Sequence, residues 1–86
     1  MELTDLPNVG KVLVSNLNEI GIHTPEELYK EGSMNVFIKI REQVDSGACL
    51  SMLYGIQGAI EGISYTKLSD ITKLELRAFY HSLDGN

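Results

Sequence analysis

The chain has 86 residues, a formal net charge of −5 and an ordinary apolar share of 43%. This length suits one domain with a single modest core, so we expect one helical domain over residues 1–86, and the composition argues against intrinsic disorder. The acidic excess opposes DNA binding by bulk electrostatics, because such binding needs several Lys or Arg side chains set against phosphates.

The first predicted helix covers residues 10–20. Gly21 would end it in the left-handed conformation that glycine adopts without a Cβ penalty, with Ile22 folding back onto Leu17. Apolar side chains recur every three or four residues along this segment, which indicates one buried face: Val9, Leu13, Leu17 and Ile20.

Two further helices are predicted over residues 25–31 and 34–46. The first of these begins with a full capping box, Thr24-Pro25-Glu26-Glu27, and would end at Gly32. Ser33 would cap the next helix and Gly47 would end it. The apolar face of that helix consists of Val36, Phe37, Ile40 and Val44.

The fourth predicted helix, residues 50–62 with Gly62 as its end, is apolar around nearly its whole circumference. A helix of this kind lies in the middle of a bundle. The fifth, residues 73–83, would begin with a second capping box, Thr72-Lys73-Leu74-Glu75. Its apolar stripe, to which Ile71 and Leu74 would add, consists of Leu76, Phe79, Tyr80 and Leu83.

No segment shows the alternation typical of a strand, so the expected fold class is all-α, with five helices in a compact bundle around the fourth. Several apolar side chains are expected to be largely buried in its core: Leu13, Leu17, Leu28, Phe37, Ile40, Leu53, Ile56, Ile60 and Phe79.

The turn before the first helix is a candidate site for binding a nucleic-acid backbone or a partner. Free backbone N–H groups at a helix start can hold a phosphate oxygen, glycine allows close approach and lysine adds charge. The alternative is a plain helix start, in which Val9 enters the core and Asn8 caps the helix. The candidate residues are Asn8, Val9, Gly10 and Lys11.

Small residues on one side of the fourth helix form a second candidate. Glycine within a helix costs about 1 kcal/mol relative to alanine, so several glycines suggest a reason for their presence. Close packing within the domain is favoured over a flat groove for a partner helix. The candidate residues are Ser51, Gly55, Gly58, Ala59 and Gly62.

Nothing in the sequence indicates catalysis, a cofactor or a metal site. His23 and His81 each lack a second ligand at metal spacing. Cys49 has no cationic neighbour in sequence and is interpreted as a buried structural thiol. The chain contains no phosphate loop, dinucleotide fingerprint or zinc-ligand set.

A cytoplasmic location is expected. A single cysteine excludes an internal disulfide and fits a reducing compartment. The N-terminus lacks the basic and apolar regions of a signal peptide. The longest uncharged run, residues 46–60, is too short and too rich in Gly and Ser for a membrane span.

Three stretches together resemble the C-terminal domain of the TfoX/Sxy family, over about residues 3–83: Leu6-x-Asn8-Val9-Gly10, Leu17-x-x-Ile20-Gly21-Ile22-x-Thr24-x-x-Glu27-Leu28 and Leu53-Tyr54-Gly55-Ile56-x-Gly58-Ala59-Ile60-Glu61-Gly62. The family is named for regulators of bacterial natural competence, in which this domain follows a separate N-terminal domain. It also occurs alone, as expected here. The resemblance implies a non-enzymatic helical module whose N-terminal half is helix-hairpin-helix-like, or SAM-like.

The sequence therefore predicts a bacterial regulatory or adaptor module that binds a protein partner. The alternative is weak, non-specific binding of nucleic acid through the turn at residues 8–11, and a homodimer is left open. The resemblance does not assign a role in competence. A DNA-binding version would need its cations on one face: Lys11, Lys30, Lys39, Arg41, Lys67, Lys73 and Arg77.

Overall fold

The structure, a computed structural model, describes residues 1–84. Over these residues it contains helices and no strand, which confirms the all-α prediction. No helix within the described range has the length and apolar composition that crossing a membrane requires. The elements in chain order are a first 3₁₀-helix (Leu3–Asp5), α1 (Lys11–Glu19), α2 (Pro25–Glu31), α3 (Ser33–Gln43), α4 (Leu50–Glu61), a second 3₁₀-helix (Tyr65–Lys67) and α5 (Asp70–Asp84).

Helix α4 lies at the centre of the fold, as its sequence predicts. It packs against α2, α3, α5 and the second 3₁₀-helix, and Leu53, Ile56 and Ala59 on it are fully buried. Of the other predicted core residues, Ile60 and Phe79 are only partly buried. The predicted core residues that are buried are Leu13, Leu17, Leu28, Phe37, Ile40, Leu53 and Ile56.

Three of the four predicted glycine helix ends are confirmed. Gly21, Gly32 and Gly62 have φ angles of 87°, 83° and 78°. At the first of them, the Ile22 amide donates a hydrogen bond to the Leu17 carbonyl at 2.9 Å. This bond satisfies a carbonyl at the end of α1 and turns the chain towards α2.

The predicted boundaries of α3 are wrong in two details. The helix ends at Gln43, before Gly47, because the chain turns through Asp45, whose carboxylate accepts a hydrogen bond from the Gly47 amide at 2.9 Å. Ser33 is the first residue of the helix and makes no side-chain cap. Its buried hydroxyl instead donates to Gln57 Oε1 on α4 at 2.6 Å.

Helix α5 begins earlier than predicted. It starts at Asp70, and the preceding Ser69 hydroxyl accepts a hydrogen bond from the Thr72 amide at 3.0 Å. The predicted capping box at residues 72–75 is therefore wrong. The expected contribution of Ile71 and Leu74 to the core is also wrong, because these side chains are 71% and 62% exposed.

Candidate functional site

The turn before α1 is pinned to the rest of the domain by Asn8. This residue has a φ of 69°, in the left-handed region that asparagine tolerates better than most residues. Its Nδ2 atom donates to the Gly55 carbonyl at 3.3 Å and to the Ile63 carbonyl at 3.0 Å. Its Oδ1 atom accepts from the Tyr65 amide at 3.2 Å. One side chain thus connects the turn to α4 and to the second 3₁₀-helix.

Asn8 does not cap α1, which corrects that part of the alternative interpretation. The N-cap residue is Gly10, and no side chain caps the helix there. Val9 does enter the core, with 9% of its surface exposed. The backbone turn therefore has one buried anchor, Val9, and one side chain that reaches across to distant elements.

Two glycines of α4 provide the space that Asn8 occupies. A Cβ atom on Gly58 would lie 2.5 Å from Asn8 Nδ2 and 2.8 Å from the Ile63 carbonyl oxygen. A Cβ atom on Gly55 would lie at an ordinary 3.6 Å from Asn8 Cβ. The other residues of the predicted small-residue face differ in their surroundings. Ala59 is buried in the core, Gly62 ends the helix and Ser51 is exposed.

Residues from both sequence candidates line one open groove of about 420 Å³. Two of the residues that line it are well exposed, Val12 at 72% and Tyr65 at 44%. Neither was singled out from the sequence: Val12 lies off the core face of α1, and Tyr65 belongs to a segment too short to show periodicity. We call this feature the α1–α4 groove, and it is lined by Asn8, Gly10, Lys11, Val12, Leu13, Ser51, Met52, Gly55 and Tyr65.

The α1–α4 groove has a positive end. Lys11 is its only lining residue that is charged at neutral pH. The first turn of α1 contains no acidic residue and its N-cap has no side-chain hydrogen bond. Backbone N–H groups at a helix start carry a partial positive charge, so this end of the groove is electropositive on an acidic protein.

Three other basic side chains in the described part of the chain are engaged away from the groove. Lys39 pairs with Glu31 at 2.7 Å. Lys73 donates to the Thr66 carbonyl at 3.4 Å. The Arg41 guanidinium stacks near aromatic rings, with its carbon 5.5 Å from the centre of the Tyr80 ring. These three cations do not line the α1–α4 groove.

Cys49 is exposed, so the expectation of a buried thiol is wrong. It is the N-cap residue of α4, and its Sγ atom lies 3.0 Å from Ser51 Oγ. The hydrogen bond from the Ser51 hydroxyl, followed by the Met52 amide, lowers the pKa of the thiol below its usual range. Ser51 therefore contacts both the groove and the one cysteine of the chain.

His23 lies in the turn between α1 and α2. Its Nδ1 atom is 2.9 Å from Asn18 Oδ1, and its backbone amide donates to Glu27 Oε1 at 2.7 Å. That amide, and the Thr24 amide after it, lower the pKa of the Glu27 carboxyl. The predicted capping box is present, and across residues 1–84 no cluster of three or more His, Cys, Asp or Glu is placed to bind a metal ion.

Comparison with known proteins identifies a family and close structural relatives, among them two crystal structures from Listeria monocytogenes. The TfoX C-terminal domain matches residues 1–80. The crystal structure of an uncharacterized protein from Listeria monocytogenes, in a triclinic form, has a TM-score of 0.96 at 44% identity, covering 100% of this chain and 97% of that chain. The crystal structure of a Listeria monocytogenes protein of unknown function, in a tetragonal form, has a TM-score of 0.91 at 46% identity. It covers 94% of this chain and 98% of that chain. No curated protein matches the chain.

Proposed function

The chain belongs to the TfoX C-terminal domain family, and we propose that it is a non-enzymatic regulatory or adaptor module that binds a protein partner. The observation that carries this proposal is the α1–α4 groove, where residues from both candidate motifs of the sequence line a largely apolar surface. Its lining contains no imidazole, thiol or carboxyl side chain, which suits binding rather than acid–base or nucleophilic chemistry.

The apolar side chains of the groove favour a protein as the partner. Val12 and Tyr65 are well exposed beside Leu13 and Met52. Burying such surface against a partner contributes about 25 cal/mol per Å² of apolar area removed from water. Tyrosine and methionine are also enriched at protein interfaces.

The hydrogen bonds of Asn8 order the walls of the groove in the unbound chain. Asn8 fixes the backbone of Tyr65 on one side and the turn leading to α1 on the other. A binding surface whose walls are already ordered loses less conformational entropy on association. The hydrogen bonds of Asn8 therefore support a role in recognition as well as in folding.

The nucleic-acid alternative has one specific observation in its favour, the uncapped start of α1 next to Lys11. Charge argues against it. The chain has 7 Lys and Arg against 12 Asp and Glu, and Lys11 alone contributes a cation to the groove. Non-specific DNA affinity depends on the number of phosphates that basic side chains neutralise, so a protein partner remains our first choice.

Site-specific photo-crosslinking tests the proposal. A photoreactive amino acid replaces Val12 in the groove or, as a matched control, Leu74 on the exposed side of α5. Both variants of the intact chain are expressed in the native host and irradiated. We expect one protein to be cross-linked from position 12 and not from position 74.

The cross-linked protein is then purified and its direct binding measured by calorimetry. Binding to the wild-type chain that is lost in Val12→Asp and kept in Leu74→Asp supports the proposal. A cross-linked product that is degraded by nuclease treatment would favour nucleic-acid binding. Equal cross-linking from both positions, or none from position 12, would overturn the groove as the binding site.

A further inference from the structure

We propose that the α1–α4 groove takes an acidic and apolar peptide segment of its protein partner, with a carboxylate placed against the Lys11 ammonium. This inference rests on the proposed function, since it names the chemistry of the segment that the same groove accepts. Two features carry it, namely the sign of the charge inside the groove and the apolar surface beside that charge.

The charge inside the groove is opposite to that of the whole chain. The chain carries 12 acidic against 7 basic residues, yet the charged lining consists of Lys11 alone. Within residues 1–84 no acidic side chain forms an ion pair with Lys11. An ammonium group beside apolar surface attracts a carboxylate more strongly once a partner displaces water, whereas a basic segment would be repelled there.

The apolar side chains next to Lys11 define the second part of the ligand. Val12 follows Lys11 directly on α1 and is 72% exposed, and Tyr65, which is 44% exposed, lines the same groove. A carboxylate alone would leave this surface in water. A peptide segment that carries an apolar side chain next to an Asp or Glu fills both parts.

A neighbouring groove fits such a segment less well. Its volume is about 480 Å³, and Lys11 lines it together with Glu19 on the outer side of α1. A cation and an anion in one groove offset each other, so no net attraction for a carboxylate results. The carboxylate is therefore assigned to the α1–α4 groove, whose lining contains no acidic residue.

The test uses a display library of short random peptides, panned on the intact wild-type chain. An enriched peptide is synthesised with a fluorophore and its affinity measured by anisotropy. We expect enriched peptides to carry Asp or Glu next to Leu, Phe or Tyr. Affinity should fall at least about tenfold in Lys11→Glu and recover when the acid of the peptide is replaced by Lys.

Lys30→Glu is the matched control, because it makes the same charge change at an exposed position of α2 outside the groove. Its affinity should stay within about twofold of wild type at physiological salt, where distant surface charges are screened. A glutamate in the first turn of α1 interacts favourably with the helix dipole, so the Lys11→Glu variant should fold normally. Circular dichroism checks this.

The inference and the proposed function fail in different ways. Peptides that bind Lys11→Glu as well as wild type, but are blocked by Val12→Asp, would overturn the inference and leave the proposed function standing. Binding that also survives Val12→Asp would overturn both. Enrichment of basic peptides, or of none, would overturn the inference.

Discussion

Replacing Gly58 with alanine should disrupt the contact between the N-terminal turn and α4. The new methyl would lie 2.5 Å from Asn8 Nδ2, 2.8 Å from the Ile63 carbonyl oxygen and 3.2 Å from the Tyr65 amide nitrogen. Two of these three atoms belong to the backbone, so the segment after α4 has to move. Asn8 makes three hydrogen bonds there, and all three are at risk.

The size of the destabilisation by Gly58→Ala follows from the lost hydrogen bonds and the overpacking. A net contribution of about 0.5–1.5 kcal/mol for each hydrogen bond and about 1–3 kcal/mol for overpacking oppose a gain of about 1 kcal/mol in helix propensity. With part of the hydrogen bonding retained, we expect Gly58→Ala to lower the free energy of unfolding by about 2–4 kcal/mol.

Urea unfolding followed by circular dichroism measures this effect, with Gly55→Ala as the matched control. A methyl at Gly55 would meet Asn8 Cβ at an ordinary 3.6 Å. The control should therefore be neutral or gain up to about 1 kcal/mol from helix propensity. If Gly58→Ala proves as stable as Gly55→Ala, the packing that we describe around Asn8 is refuted.

Substitutions at Gly21, Leu53 and Ser51 test a helix end, the core and the surroundings of the thiol. Gly21→Ala should destabilise the chain in denaturant melts, because φ is 87° there; a gain in stability would contradict the left-handed helix end. Leu53→Ala should cost about 2–5 kcal/mol because Leu53 is fully buried, and an almost unchanged melting temperature would contradict its central position. Ser51→Ala removes the hydrogen bond that lowers the pKa of Cys49. The pH at which iodoacetamide alkylation accelerates should then rise, and an unchanged pH profile would contradict that role.

Local sequence signals predicted most of the fold. Glycines at positions 21, 32 and 62 end helices because each has a positive φ, and the capping box at Thr24 fixes the start of α2. Where two local signals competed, the prediction was wrong. Ser69 and Thr72 can both cap a helix, and the structure uses Ser69.

The groove could be predicted only in part, because its geometry depends on distant contacts. Asn8 and its partners are 47 to 57 residues apart in sequence. The spacing of apolar residues along a helix does not indicate a contact over such a separation. The second 3₁₀-helix, Tyr65–Lys67, is likewise too short to show a pattern. The sequence therefore indicated the turn and the small-residue face separately, but it did not indicate that Tyr65 and Val12 join them.

Binding of a protein partner in the α1–α4 groove can be tested by an amide NMR titration of the isotope-labelled chain with the partner protein that cross-links to position 12. We expect the largest changes in chemical shift at residues that line the α1–α4 groove, among them Lys11, Val12 and Tyr65. Much smaller changes are expected when duplex DNA replaces the partner protein at physiological salt. Changes centred on the exposed face of α5 around Leu74, or larger changes in the groove with DNA, would show that the groove does not bind a protein partner in this way.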